Sequence, residues 1–127
     1  MHKQSINSKN VPEAIGAYSH GTSFGPMIYT SGQLPIDANN GDVIPESITK
    51  QAEVALRNLV SIIETGGGDP SSVVKTTCFL ADIEDFAEFN KEYAKVFGEY
   101  CPSRSCFAVK ELPMGVKVEI EAIAYKL

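Results

Sequence analysis

This 127-residue chain has no tryptophan, two histidines, three cysteines and, among eleven basic residues, only two arginines, Arg57 and Arg104. Each scarcity excludes something. An odd set of cysteines, Cys78, Cys101 and Cys106, with no C-x-x-C pair suggests neither a disulfide framework nor a closed zinc site. His2 and His20 stand far from the cysteines in sequence, so no metal is expected. With a formal net charge of -5 and no clustered lysine and arginine, the chain is a poor match for phosphate backbones, and nucleic acid is not an expected partner. No apolar run approaches the roughly 20 residues that span a bilayer. The start, MHKQSINSKN, also lacks the apolar segment of a secretory signal, so no membrane association and a cytoplasmic location are expected.

What is present reads as one domain over residues 1–127: 43% hydrophobic and 21% charged residues, with no repeat or low-complexity tract. HKQSIN and MIYTSGQL read as short strands, the second broken at Gly32, and the Gly- and Pro-rich stretch between them as loop with one short strand near Thr22 to Phe24. A helix is predicted to start at Ser47 and stop at Gly66, because Ile48, Ala52, Ala55, Leu56, Leu59, Ile62 and Ile63 form one apolar stripe. SSVVKTTCFLAD is a β-branched strand. Asp82 is placed to cap a second helix, in which Phe86, Phe89, Tyr93 and Phe97 recur at helical spacing as core residues. SRSCFAVKEL and GVKVEIEAIAYKL close the chain as two strands joined by a turn near Pro113 to Gly115. This order predicts an α+β fold, a ferredoxin-like mixed sheet with two helices on one face.

In the last strand Val116, Val118, Ile120, Ala122 and Ala124 share one face, suited to lie under the helices. The other face mixes Lys117, Glu119 and Glu121 with Ile123 and Tyr125. A sheet covered on one side leaves that face open, and a second copy of the chain would bury its apolar part, so a homo-oligomer is expected.

Arg104, in CPSRSCF, offers a two-pronged donor matched to a carboxylate, although an ion pair with one of the sixteen acidic residues serves equally well. Glu119 and Glu121, two apart on one strand, leave the same face roughly 7 Å apart. They suit either proton transfer or a solvated, lysine-paired face. A glycosidase pair is set aside, since no tryptophan supplies a sugar platform. Ser31-Gly32 ends a strand where backbone N–H is closely approachable, with no nucleophile elbow and no nearby histidine base. GGGD at 66–69 lacks the residues of a phosphate loop and reads as a helix stop. Cys106, two residues from Arg104, lacks an identifiable base and is not read as a nucleophile.

The runs IGAYSHG, MIYTSGQLP, QAEVALRNLVSIIETGGG, VVKTTCFLADIEDFAEFNKEYAKVF, CPSRSCFAVKELP and VKVEIEAIAYKL, in this order, resemble the Rid (YjgF) family over nearly the whole chain, and specifically its RidA-type deaminases. The resemblance implies a chorismate-mutase-like fold and a homotrimer whose sheets form a central barrel, with active sites between subunits. It implies hydrolysis of 2-imino or enamine acids, 2-iminobutanoate and 2-iminopropanoate, to 2-keto acids and ammonia without a cofactor. Arg104 would grip the substrate carboxylate, and Glu119 would serve the hydrolytic water. Ser31 and Gly32 would contact substrate, Tyr18 would cover the pocket, Asn90 would stand at its edge, and Cys106 would line it through its carbonyl. Ala17, His20 and Ser103 depart from the family's usual proline, glutamine and alanine, which touches substrate range. Three other readings remain: a carboxylate-binding regulatory module without turnover, an endoribonuclease or translation inhibitor, and a holdase chaperone.

Overall fold

Eight-residue alternation of apolar and polar side chains along the last strand gives the molecule its two-sided plan, since every second residue of Val118–Tyr125 must leave water. The computed structural model describes residues 2–45 and 47–127. Its strands are β1 (Gln4–Ile6), β2 (Gly21–Phe24), β3 (Met27–Thr30), β4 (Val73–Leu80), β5 (Ser103–Ala108) and β6 (Val118–Tyr125), and its helices are α1 (Ile48–Thr65) and α2 (Phe86–Phe97). They form one six-stranded mixed sheet in the order β1-β2-β3-β6-β4-β5, with β4 and β5 parallel and the other pairs antiparallel.

Both helices lie on one face. Leu59, Ile62 and Ile63 of α1 and Phe89 and Phe97 of α2 meet Ile28, Cys78, Leu80, Val118, Ile120 and Ala124 in a single buried cluster. At roughly 1.5–3 kcal/mol for each fully buried large side chain, this cluster is the main driving force of the fold. The predicted mixed α+β sheet with two helices is therefore observed. Among the described residues no helix is long and apolar enough to cross a membrane.

Two local expectations need correction. The last two strands do not pair with each other: β6 enters the middle of the sheet between β3 and β4, and β5 lies at the edge beside β4. A central slot suits β6, whose Val118, Ile120, Ala122 and Ala124 are all buried. Asp82 caps a short 3-10 turn, Ile83–Asp85, by accepting from Glu84 N–H, and α2 begins only at Phe86. The expected limits of the first helix hold, with Ser47 the N-cap of α1 and Gly66 its C-cap, although the Ser47 side chain makes no capping hydrogen bond.

Candidate functional site

The seven predicted site residues fall into two groups. On the edge strand β5, Arg104 and Cys106 pair in register with Thr76 and Cys78 and so share the helix face. Arg104 lies over the Tyr93 ring at 4.6 Å and the Phe86 ring at 5.4 Å, and its Nη1 donates to Asn90 Oδ1 at 2.7 Å. The aromatic spacing of α2, read as core, holds for Phe89 and Phe97. Phe86 and Tyr93 also form a platform for the guanidinium, a role that periodicity does not reveal. Tyr93 is fixed in turn by a 2.7 Å hydrogen bond between its hydroxyl and Thr76 Oγ1. Among the described residues no carboxylate forms an ion pair with Arg104. The acidic-partner alternative for this arginine thus finds no support there.

Cys106 is partly buried beside fully buried Cys78. The neighbouring Cys78 thiol is the main cause that lowers the Cys106 thiol to about 7; burial works against this and the Arg104 charge adds to it.

The second group surrounds Gly32. Glu119 projects from the open face of β6, and its carboxylate packs so closely on Gly32 that any side chain at 32 would collide with it. A side chain at 32 would have to displace the flexible end of Glu119. Burial, followed by repulsion from Glu121, raises the Glu119 carboxyl above its ordinary range. Ser31 is held on both sides: its N–H donates to the His20 carbonyl at 2.8 Å, and its Oγ to the Ser19 carbonyl at 2.7 Å. Tyr18 is half exposed, and its Oη accepts from Ile15 N–H at 3.2 Å.

Tyr18 and Gly32 share a largely apolar cavity of about 380 Å³ with Ile15, His20, Leu34 and Met114. A hollow of about 370 Å³ near Lys9, Lys50 and Arg57 contains none of the predicted residues.

Arg104 and Glu119 occupy opposite faces of the sheet, with β4 between their strands. One chain therefore presents one group around Arg104, with Asn90 and Cys106, and a separate group of Tyr18, Ser31, Gly32 and Glu119.

Three supporting residues escape sequence reasoning. His20 is buried. Its Nδ1 accepts from Ser8 N–H at 2.9 Å, so its Nε2–H donates to the Pro12 carbonyl at 2.7 Å, tying the loop that carries Tyr18 to β2. Asn58 on α1 is buried and donates to the carbonyls of Leu34 and Ile36 in the cavity wall. A polar residue inside an apolar helix stripe was the available signal. Met114, at the cavity rim, has φ 58°, a left-handed conformation that costs a side-chain-bearing residue roughly 1–2 kcal/mol.

A model of the Endoribonuclease L-PSP family matches residues 8–126. The chain belongs to this family, also known as the Rid (YjgF) family. It is 43% identical over 126 residues to the 2-iminobutanoate/2-iminopropanoate deaminase of Escherichia coli, covering 97% of this chain and 98% of that one. It is also 43% identical over 118 residues to the RutC family protein y4sK of Sinorhizobium fredii, covering 93% and 94% of the two chains. The crystal structure of E. coli TdcF with bound serine superposes with a TM-score of 0.92 at 38% identity, over 98% of this chain and 99% of that one.

Proposed function

We propose that this protein hydrolyses small 2-imino acids, 2-iminobutanoate and 2-iminopropanoate, to 2-keto acids and ammonia. The observation that carries the reading is Arg104: a partly buried guanidinium, stacked on Tyr93 and oriented by Asn90, that has no carboxylate partner among the described residues. A guanidinium steadied in this way keeps donors for the carboxylate of a small acid.

The two halves of the site are proposed to meet between copies of the chain, in the homotrimer with a central barrel that the family resemblance implies. Arg104 and the Gly32 N–H hold the carboxylate, while Ser31 and the Cys106 carbonyl orient the imine nitrogen. Tyr18 closes over the substrate. A water beside Glu119 adds to C2 as one of its protons passes to nitrogen, and the carbinolamine then collapses: its hydroxyl proton is carried to the nitrogen, the C–N bond breaks, and a 2-keto acid and ammonia are left. The iminium carbon is already electrophilic, so positioning and proton transfer make up most of the catalysis. Burial and Glu121 raise the Glu119 carboxyl above its ordinary range, the direction that favours taking a proton from the water and returning it. No metal or cofactor has a step in this scheme. RNA is disfavoured as a substrate, despite the family's description, by the net charge of -5 and the absence of clustered basic residues in the sequence.

The test is hydrolysis of 2-iminobutanoate, generated in place by a threonine dehydratase and followed by semicarbazone trapping. Wild type should accelerate loss of the trapped imine. Arg104→Lys should lose roughly 10- to 100-fold, the value of one or two charge-assisted hydrogen bonds. Near-normal turnover by that variant would refute two-pronged recognition. Binding of a 2-keto acid without turnover by wild type would favour the regulatory carboxylate-binding module.

A further inference from the structure

The sulfurs of Cys78 and Cys106 have no part in the proposed hydrolysis, yet their placement is unusual. The two residues are directly opposed in the parallel register of β4 and β5, on the same face of the sheet. Neighbouring strands run about 4.8 Å apart, inside the roughly 4.4–6.8 Å Cα separation that a disulfide accepts. Cys78 is wholly buried and Cys106 only partly, so one thiol is reachable by a small solute and the other is shielded behind it. β5 ends the sheet and is paired on one side only, so its backbone can adjust to a crosslink with β4.

From this arrangement we infer that Cys106 and Cys78 form a peroxide-oxidisable dithiol site, Cys106 attacking and Cys78 resolving, whose disulfide disables the neighbouring Arg104. The Cys106 thiolate attacks one oxygen of hydrogen peroxide and the O–O bond breaks; Cys106 becomes a sulfenic acid and the second oxygen leaves as water after protonation. The Cys78 sulfur then attacks the Cys106 sulfur, the S–O bond breaks, and a second water leaves with the Cys78 proton. Two thiols are oxidised by two electrons and one peroxide is reduced to two waters.

The thiol chemistry fits this order. Cys106, lowered to about 7, supplies thiolate at neutral pH, while the neighbouring Cys106 thiol and burial push Cys78 up and keep it protonated until Cys106 reacts. Oxidising Cys106 removes the partner chiefly responsible for holding the Cys78 proton. Arg104 lies two residues from Cys106 on the same strand face, so the local twist that the crosslink imposes on β5 moves the guanidinium off Asn90. The effect on activity rests on the deaminase reading above; formation of the crosslink does not.

The experiment uses the full-length protein carrying Cys101→Ser, which removes the exposed third thiol. After hydrogen peroxide treatment, tryptic peptides 76–91 and 105–110 should appear joined, two hydrogens lighter than their sum, and should separate on reduction with dithiothreitol. Imine hydrolysis should fall at least tenfold and recover on reduction. Cys78→Val in the same background should give no crosslink and instead leave a dimedone adduct on peptide 105–110. A dimedone adduct accumulating while Cys78 is present, or an untouched Cys106 in an active reduced enzyme, overturns the inference. Full crosslinking with undiminished hydrolysis overturns the link to Arg104. A reduced protein that never hydrolyses imine overturns the deaminase reading instead.

Discussion

In the proposed site Glu119 serves the reaction at a cost to the fold. Its carboxyl is raised by burial and by Glu121, so the folded chain binds its proton more readily than the unfolded chain does. Below the ordinary carboxylate range both states are protonated and Glu119 costs nothing; as pH rises through the folded value, the cost of a partly buried charge appears. Glu119→Gln is therefore expected to melt at a higher temperature than wild type at neutral pH, with the difference vanishing toward about pH 4. The same variant should lose imine hydrolysis. Thermal scans at the two pH values check the first statement, and a lower neutral-pH Tm for Glu119→Gln would contradict it.

Helix α1 does more than cover the sheet. Its apolar stripe includes two buried polar residues, Gln51 and Asn58, which fasten the segment following β3: Gln51 Nε2 donates to the Ile44 carbonyl, and Asn58 Nδ2 donates to Leu34 and Ile36. Gln51 Oε1 also accepts from Lys117 N–H just before β6. These bonds from the helix add to the loop's own, such as Asp37 N–H to the Asp42 carbonyl and Ile44 N–H to the Pro35 carbonyl. Asn58→Ala should cost about 1 kcal/mol by removing the hydrogen bond to the Ile36 carbonyl, while the Leu34 carbonyl keeps the Ile36 N–H. Amide exchange over residues 33–44 should accelerate while that of β6 changes little. Uniform acceleration across both segments would mean that Asn58 supports the core at large.

The open face of the sheet carries Tyr29, Phe107 and Tyr125, all at least 40% exposed, with Phe79 and Phe107 packed edge to face at 5.5 Å between ring centres. So much aromatic surface on a helix-free face argues for a second copy of the chain as its cover. The proposed trimer gives this a number: light scattering at micromolar concentration should return three times the 13.7 kDa chain mass. Ile123→Lys, which places a charge in the middle of that face, should shift the mass toward the single chain and reduce hydrolysis with it. A wild-type mass of one chain would remove both the trimer and the shared site.

Periodicity alone made the two helices, the strands and the burial of alternate residues in β6 legible, because helical and extended backbones place side chains at fixed intervals and water sorts them. The isolation of Arg104 among lysines, and the place of Ser31-Gly32 at a strand end, were also plain in the order of residues. Strand pairing was not. That β6 enters between β3 and β4 while β5 goes to the edge depends on contacts between segments far apart in the chain, which no local pattern encodes. The same long-range packing brings Glu119 against Gly32, sets Asn90 and Tyr93 around Arg104, and opposes Cys78 to Cys106. Local sequence names the chemical groups available, and the crossing of distant strands determines which of them can touch.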